Sequence, residues 1–492
     1  MNRVDQTHKA RTDVRRFADR AFSRAAGAAL IEGNSIRLLR DAAQNYPAWL
    51  AAIGAARHHI LFENYIITED TVGERFAEAF IAKARDGVSV RLIYDWMGSF
   101  GRASSRFWNR LQTGGVQVRC YNPPRFDSPF GWLSRDHRKM LAVDGEVGFI
   151  TGLCVGKSWE GVPEKNLEPW RDTGVQVRGP AVAEIESAFE QVWAMTGGEE
   201  AFKRNASTDN RALAESGDVA MRIVASAPAT AGMFRLDQLI AALARERLWM
   251  TDAYYGGTPS YVEGLRAAAR DGVDVRLLVP NATDIPLLKP LSRSGYRPLL
   301  EGGVRLFEWN GTMLHAKTAV ADGRWARVGS TNLNIASWFG NCELDAVVED
   351  EAFAHQMEQM YIEDLANSTE VVLDARRRVR APGEPHHVQR RLASGRGSTG
   401  RAAAGAVRLG NAVGAAMINR RALQPVETRM LIPAALLLFA LSALLARFPL
   451  LLIYPLLFIL VWLATALLYK GFRAYRAARR ARSGQTSERT AG

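Results

Sequence analysis

The chain carries two copies of one unit, and a duplication narrows the possible folds more than any compositional average does. ARDGVSVRLIYD, from Ala84 to Asp95, returns as ARDGVDVRLLVP, from Ala269 to Pro280, at an offset of 269 − 84 = 185. Each copy reads as a helix end, an Asp-Gly turn and an apolar strand, the pattern of a helix-to-strand crossover in an α/β layer. Upstream of each lie a helical pattern and another strand, ILFENYII around Glu63 and RLWMTDAYY around Asp252. HRKMLAVD, residues 137 to 144, returns as HAKTAVAD, residues 315 to 322, at an offset of 315 − 137 = 178. At that offset TGLC (Thr151 to Cys154) answers to GSTN (Gly329 to Asn332). In both copies Asp-Gly stands between two short apolar runs, which predicts a hairpin. The expectation is an α/β chain of two duplicated lobes, 34–200 and 219–370, joined by a polar linker at 201–218 and preceded by a basic lead-in, 1–33.

The C-terminal part differs in kind. Residues 371–428 are basic and rich in small side chains, which predicts a flexible tether. Within 429–470, Met430 to Ala446 and Phe448 to Tyr469 are runs of 17 and 22 residues without a charge, against the roughly 20 that cross a bilayer. They read as a transmembrane helical hairpin turning at Arg447, Phe448 and Pro449. Arg420, Arg421 and Arg429 flank one end; Lys470, Arg473, Arg476, Arg479, Arg480 and Arg482 flank the other, in a basic tail, 471–492. The positive-inside rule puts both ends, and the lobes, in the cytoplasm, so the expected location is the cell membrane with two spans. MNRVDQTHKARTDVRR, at the start, lacks an apolar stretch, so no signal peptide is expected. The three cysteines, Cys120, Cys154 and Cys342, form no CxxC pair, against a disulfide framework or zinc site and for a reducing compartment. A net charge of +12 calls for an anionic partner, nucleic acid or acidic lipid, without choosing between them.

On a strand, side chains two apart share a face, so His137 and Lys139 point together, as do His315 and Lys317. Burying one unpaired ammonium costs several kcal/mol, and a buried face holding two needs an anion between them. Phosphate fits. Asp144 and Asp322 open the Asp-Gly turns, so turn formation and an electrostatic role stand as equal readings.

The paired motifs resemble the signature of the phospholipase D superfamily, HxKxxxxD twice, each commonly followed by GGxN or GSxN. The resemblance covers roughly residues 30 to 370. GNSIRLLRDAAQNYPAWLAAI, ILFENYII and WLSRDHRKMLAVDG look more like the bacterial cardiolipin synthase branch than the nucleases. The resemblance implies two lobes about a pseudo-twofold with both motifs in one cleft. One histidine forms a phosphohistidine while the other serves as acid and base; it favours His137 as nucleophile, and the residues leave that open. Lys139, Lys317, Ser330 and Asn332 are then expected to hold phosphate oxygens, with Asp144 and Asp322 completing the motifs and no metal or cofactor required. Glu343 matches the acid of the family's extended second motif, and Asp172 is its first-copy candidate; both are expected to orient a histidine. Cys154 departs from the pattern, standing where the second copy has Asn332. Trp96, Phe126, Phe130 and Trp132 on one side, and Trp338 and Phe339 on the other, are read as core packing or as an apolar cleft mouth. The expected activity is a membrane-anchored phosphatidyltransferase acting on glycerophospholipid at an anionic membrane, with no nucleic acid. The competing readings are a hydrolase using water, a superfamily nuclease and a non-enzymatic membrane organiser.

Overall fold

The structure, a computed structural model, describes residues 19–124, 134–165, 167–197, 214–282, 292–293 and 295–373, strand residues 379–380, and scattered positions between 436 and 476. Most of the expected linker, tether and tail, about half of the expected hairpin, and Phe126, Phe130 and Trp132 lie outside the described residues. Two compact units are present, one of residues 1–121 and 134–408, the other of 122–133 and 409–492.

Among the described residues of the larger unit, sixteen strands form one mixed sheet. The first copy supplies β1 (Ile31–Arg40), β2 (His59–Asn64), β3 (Ser89–Asp95), β4 (Gln117–Tyr121), β5 (Lys139–Val143), β6 (Val147–Thr151) and β7 (Thr173–Arg178). The second supplies β8 (Val219–Ser226), β9 (Arg247–Thr251), β10 (Asp274–Ala282), β11 (Arg305–Met313), β12 (Thr318–Ala321), β13 (Trp325–Gly329) and β14 (Glu343–Glu349), with β15 (Ser368–Leu373) and β16 (Val379–Arg380) at its outer edge. Reading outward from the junction, the first copy runs β1-β7-β6-β5-β2-β3-β4 and the second β8-β14-β13-β12-β9-β10-β11. The two orders are the same, and they meet where β1 and β8 pair antiparallel, Ile31 opposite Met221. That is the arrangement a pseudo-twofold requires.

The repeats fold locally as their residues dictate. Helix α1 (Thr71–Arg85) starts at Asp70, whose carboxylate accepts from Val72 N and Gly73 N, satisfying two of the amides that a helix start leaves open. It ends at Asp86-Gly87, where Gly87 takes φ +86° before β3; Gly272, at φ +94°, does the same before β10. A left-handed residue at a helix end favours glycine because it has no Cβ to clash. Strands β2 and β3 pair in parallel, as do β9 and β10, so their C-terminal ends lie on one side of the sheet.

Two helices fill the centre: α2 (Val182–Met195) through Ile185, Phe189 and Val192, and α3 (Glu351–Ala366) through Phe353, Met357 and Met360. Their apolar faces join β-strand residues of both copies in one core. Each fully buried aliphatic or phenyl side chain there contributes about 2 kcal/mol. The copies are thus fused through a common core, and the site lies along that junction.

Candidate active site

His137 precedes β5 and Lys139 is its first residue; His315 and Lys317 stand just ahead of β12. Each histidine segment is tied to the other copy by a short parallel bridge. Asp136 bridges Cys342, and Leu314 bridges Arg171. The backbone bonds are reciprocal: His137 N donates to Cys342 O (2.9 Å) and Cys342 N to Arg135 O (2.8 Å), while His315 N donates to Arg171 O (2.7 Å) and Arg171 N to Met313 O (3.0 Å). The residue after each bridge is an acid. Glu343 therefore meets the imidazole of His137, its Oε2 2.9 Å from Nδ1, and Asp172 meets His315, its Oδ2 2.7 Å from Nδ1. The pairs are crossed: the first copy's acid serves the second copy's histidine, and the reverse.

Electrostatics fix the proton positions. Burial pushes His137 down to about 4, offset only in part by Glu343. Burial, reinforced by Lys317, pushes His315 down to about 3 against the pull of Asp172. Both imidazoles are neutral at pH 7. Burial alone would raise the two acids, but His137, Lys139 and Ser330 hold Glu343 below its ordinary value, and His315 and Lys317 hold Asp172 below its own. An ionised carboxylate on Nδ1 keeps the proton there and leaves the Nε2 lone pair free. Lys139 and Lys317 are fully buried, and each Nζ donates to the carbonyl of its own motif histidine. Burial lowers Lys317 to about 8. Tyr65 lies 5.2 Å from Lys139 Nζ and 4.9 Å from the His137 ring, and Tyr254 lies 5.7 Å from Lys317 Nζ and 5.9 Å from the His315 ring. Two neutral nucleophilic nitrogens beside two buried ammoniums form a receptor for an anion that can be attacked.

A family model described as "Cardiolipin synthase, PLD-like domain" matches residues 49–193 and 237–365, one segment in each copy. Cardiolipin synthase A of Pseudomonas aeruginosa is 34% identical over 362 residues, 71% of each chain. The cardiolipin synthase of Alkalihalophilus pseudofirmus is 30% identical over 338 residues, 68% of this chain and 67% of that one. The chain belongs to the phospholipase D-like cardiolipin synthase family. The fold agrees: the crystal structure of phosphatidylserine synthase from Haemophilus influenzae superposes with a TM-score of 0.56 at 13% identity, covering 71% of this chain and 91% of that one.

Within this family frame the other expected residues divide. Ser330 is engaged on Glu343: its Oγ donates to Oε2 (2.6 Å) and accepts from Leu344 N (2.9 Å). Its bonds are those of a group that orients the acid, where the sequence suggested a phosphate ligand. Asn332 is buried with Nδ2 3.5 Å from Ser337 Oγ and Oδ1 without a hydrogen-bond partner. Cys154 is fully buried with its thiol pushed up by burial, and Lys139, Asp172 and Lys317 are among the charges acting on it, so it lies beside the cluster.

Asp144 and Asp322 sit at the far ends of β5 and β12. Asp144 takes φ +55° and Asp322 φ +51°, each followed by a left-handed glycine, which is a type I′ turn. Asp144 accepts from the backbone amides of Arg57, His58 and His59, and Asp322 from those of Arg245, Glu246 and Arg247. These carboxylates knit the turn to the preceding helix-to-strand loop and stand about 16 Å along the strand from the lysines, at roughly 3.3 Å per residue. Among the aromatics, Trp338 is buried against Phe234 and Tyr261, Phe339 is 39% exposed, and Trp96 meets Phe100 in a tilted contact at 4.9 Å.

Sequence reasoning missed Tyr65 and Tyr254, although both follow the strand that pairs with a motif strand. It also missed Asn341, whose Nδ2 donates to Glu343 Oε1 (3.2 Å), and Arg171, whose guanidinium clamps Asp364 of α3 through two 2.8 Å bonds. Among the described residues no group of three or more His, Cys, Asp or Glu is arranged to hold a metal ion.

Proposed function

We propose that the chain is a membrane-anchored phosphatidyltransferase of the cardiolipin synthase type, moving a phosphatidyl group from one glycerophospholipid to an alcohol acceptor. The crossed pairs His137–Glu343 and His315–Asp172 carry the reading, because they occupy both Nδ1 atoms and leave the Nε2 lone pairs free in a cluster whose two buried lysines act on both imidazoles. A phosphodiester held by Lys139 and Lys317, with Asn332 as a further ligand, brings a negative charge that raises the histidine pKa values. One imidazole then takes up a proton on Nε2 while the other stays neutral. The neutral Nε2 attacks phosphorus, forming the N–P bond as the P–O bond to the leaving alcohol breaks. The protonated imidazole gives its proton to that alkoxide. In the second half it takes the proton of the incoming hydroxyl, whose oxygen displaces the histidine. The lysines stabilise the charge that gathers on the non-bridging oxygens in both transition states.

Residues 430–446 and 448–469 are the proposed anchor, a two-span hairpin with the lobes on the cytoplasmic side. Its support is the length of the uncharged runs and the exposure of apolar side chains at the described positions, Phe439 at 74%, Phe458 at 67% and Val461 at 64%, which suits contact with lipid tails. Among the described residues no helix is long and apolar enough to cross a membrane. The basic flanks suit an anionic leaflet.

Purified protein incubated with labelled phosphatidylglycerol, followed by lipid chromatography, tests the activity. Cardiolipin and released glycerol are the expected products; phosphatidic acid alone would instead mean that water is the acceptor, and neither product sinks the reading. His137→Ala and His315→Ala should each abolish turnover, and label trapped on protein in only one of them identifies the nucleophile.

A further inference from the structure

The two histidine-holding acids are alike in role and unlike in how they are held. Glu343 takes its supporting bonds from Ser330 Oγ and Asn341 Nδ2. Asp172 takes one from Thr173 N (2.9 Å) and one from the indole of Trp159, whose Nε1 donates to Oδ2 at 3.0 Å. That is the oxygen that also meets His315 Nδ1. Trp159 is 1% exposed, and its ring meets the imidazole of His315 edge-on, at 5.5 Å between centroids and 86° between planes. The ring is fixed from behind by Trp170 at 4.7 Å. Its backbone sits in a short turn in which Lys157 N bonds Asp70 and Trp170 N bonds Ser158 O. In the second copy SWEG (158–161) returns as SWFG (337–340), but the indole of Trp338 donates to Asp237 Oδ2 at 3.2 Å, so the bond from this turn to a histidine-holding acid belongs to the first copy.

We propose that Trp159 is a positioning residue for the His315 half of the site, an inference that rests on the transfer reading above. Its indole N–H holds the Asp172 carboxylate in the rotamer that keeps the proton on His315 Nδ1, and its ring edge sets the angle at which Nε2 faces the phosphate. Hydrogen bonds to an ionised group are the stronger ones, so loss of this bond both loosens Asp172 and makes it more basic. A more basic Asp172 draws His315 upward in turn.

Trp159→Phe keeps a ring and removes the donor. In full-length protein on phosphatidylglycerol vesicles it should lower kcat roughly tenfold with KM unchanged, the loss expected for one hydrogen bond to a charged group. It should also move the limb of the kcat profile that reports His315 to higher pH. Asp172→Asn with Trp159→Phe should cost no more than Asp172→Asn alone, since the indole acts through the carboxylate. Additive losses, or an unmoved pH limb, overturn the proposal. If Trp159→Phe does not fold, the indole N–H signals of the twelve tryptophans in nitrogen-15-labelled protein decide: Asp172→Asn must shift one of them, and no shift overturns the proposal. Wild-type protein that forms neither cardiolipin nor phosphatidic acid defeats the transfer reading instead, and the indole signals still decide on Trp159.

Discussion

At the residue scale the site depends on keeping two buried imidazoles neutral and two buried carboxylates charged. Glu343→Gln is isosteric, keeps a hydrogen bond to His137 and removes the charge that fixes the Nδ1 proton. It should lower kcat by roughly a hundredfold or more while KM changes little, because an acid that holds a histidine tautomer acts mainly in the transition state; an unchanged kcat refutes the role. The pH dependence of kcat/KM, which reports the free enzyme, follows from the same groups. Above about 8 Lys317 loses the charge that holds phosphate. An alkaline limb near that value is the expected outcome, and Lys317→Arg should extend it upward, because a guanidinium does not titrate there. An alkaline limb that stays in place in the variant assigns it to another group.

At the scale of elements, the hairpins that begin with the lysines are built by the aspartates that end them. Asp144→Ala and Asp322→Ala each remove a carboxylate that accepts three backbone amide bonds and place alanine at a left-handed φ. Each should lower stability by about 2 kcal/mol, read as a fall in Tm, with kcat of the folded protein unchanged. A large loss of kcat at unchanged Tm would restore an electrostatic role in catalysis. These hairpins were legible in advance because Asp-Gly between apolar runs has few other local solutions. Trp159 and Arg171 were not: their partners Asp172, His315 and Asp364 come from strand ends and a helix of both copies, and nothing in KSWE or PWRD names them.

At the scale of the whole molecule, the duplicated sheet makes one site from two incomplete halves. The histidine and lysine of each copy wait for an acid that arrives only across the β1 to β8 junction. The remaining unit carries the proposed anchor. A chain ending at residue 408 should keep the folded lobes and shift from the membrane pellet to the soluble fraction, since it lacks both uncharged runs. If the shortened chain still pellets quantitatively, the lobes themselves bind membrane and the hairpin is not the sole anchor.

The two acids were marked by the family resemblance; the duplication, the α/β layering, the hairpins and the paired His and Lys were determined by the sequence itself. These are local or periodic properties, written in spacing and in residue type. Which acid would meet which histidine was decided only by the tertiary structure. The crossing depends on parallel bridges between segments 206 and 143 residues apart, and their register comes from the packing of α2 and α3 in a core shared by both copies. The same packing set Ser330 on Glu343 and an indole on Asp172, because a buried carboxylate bonds whichever donors the fold brings within reach.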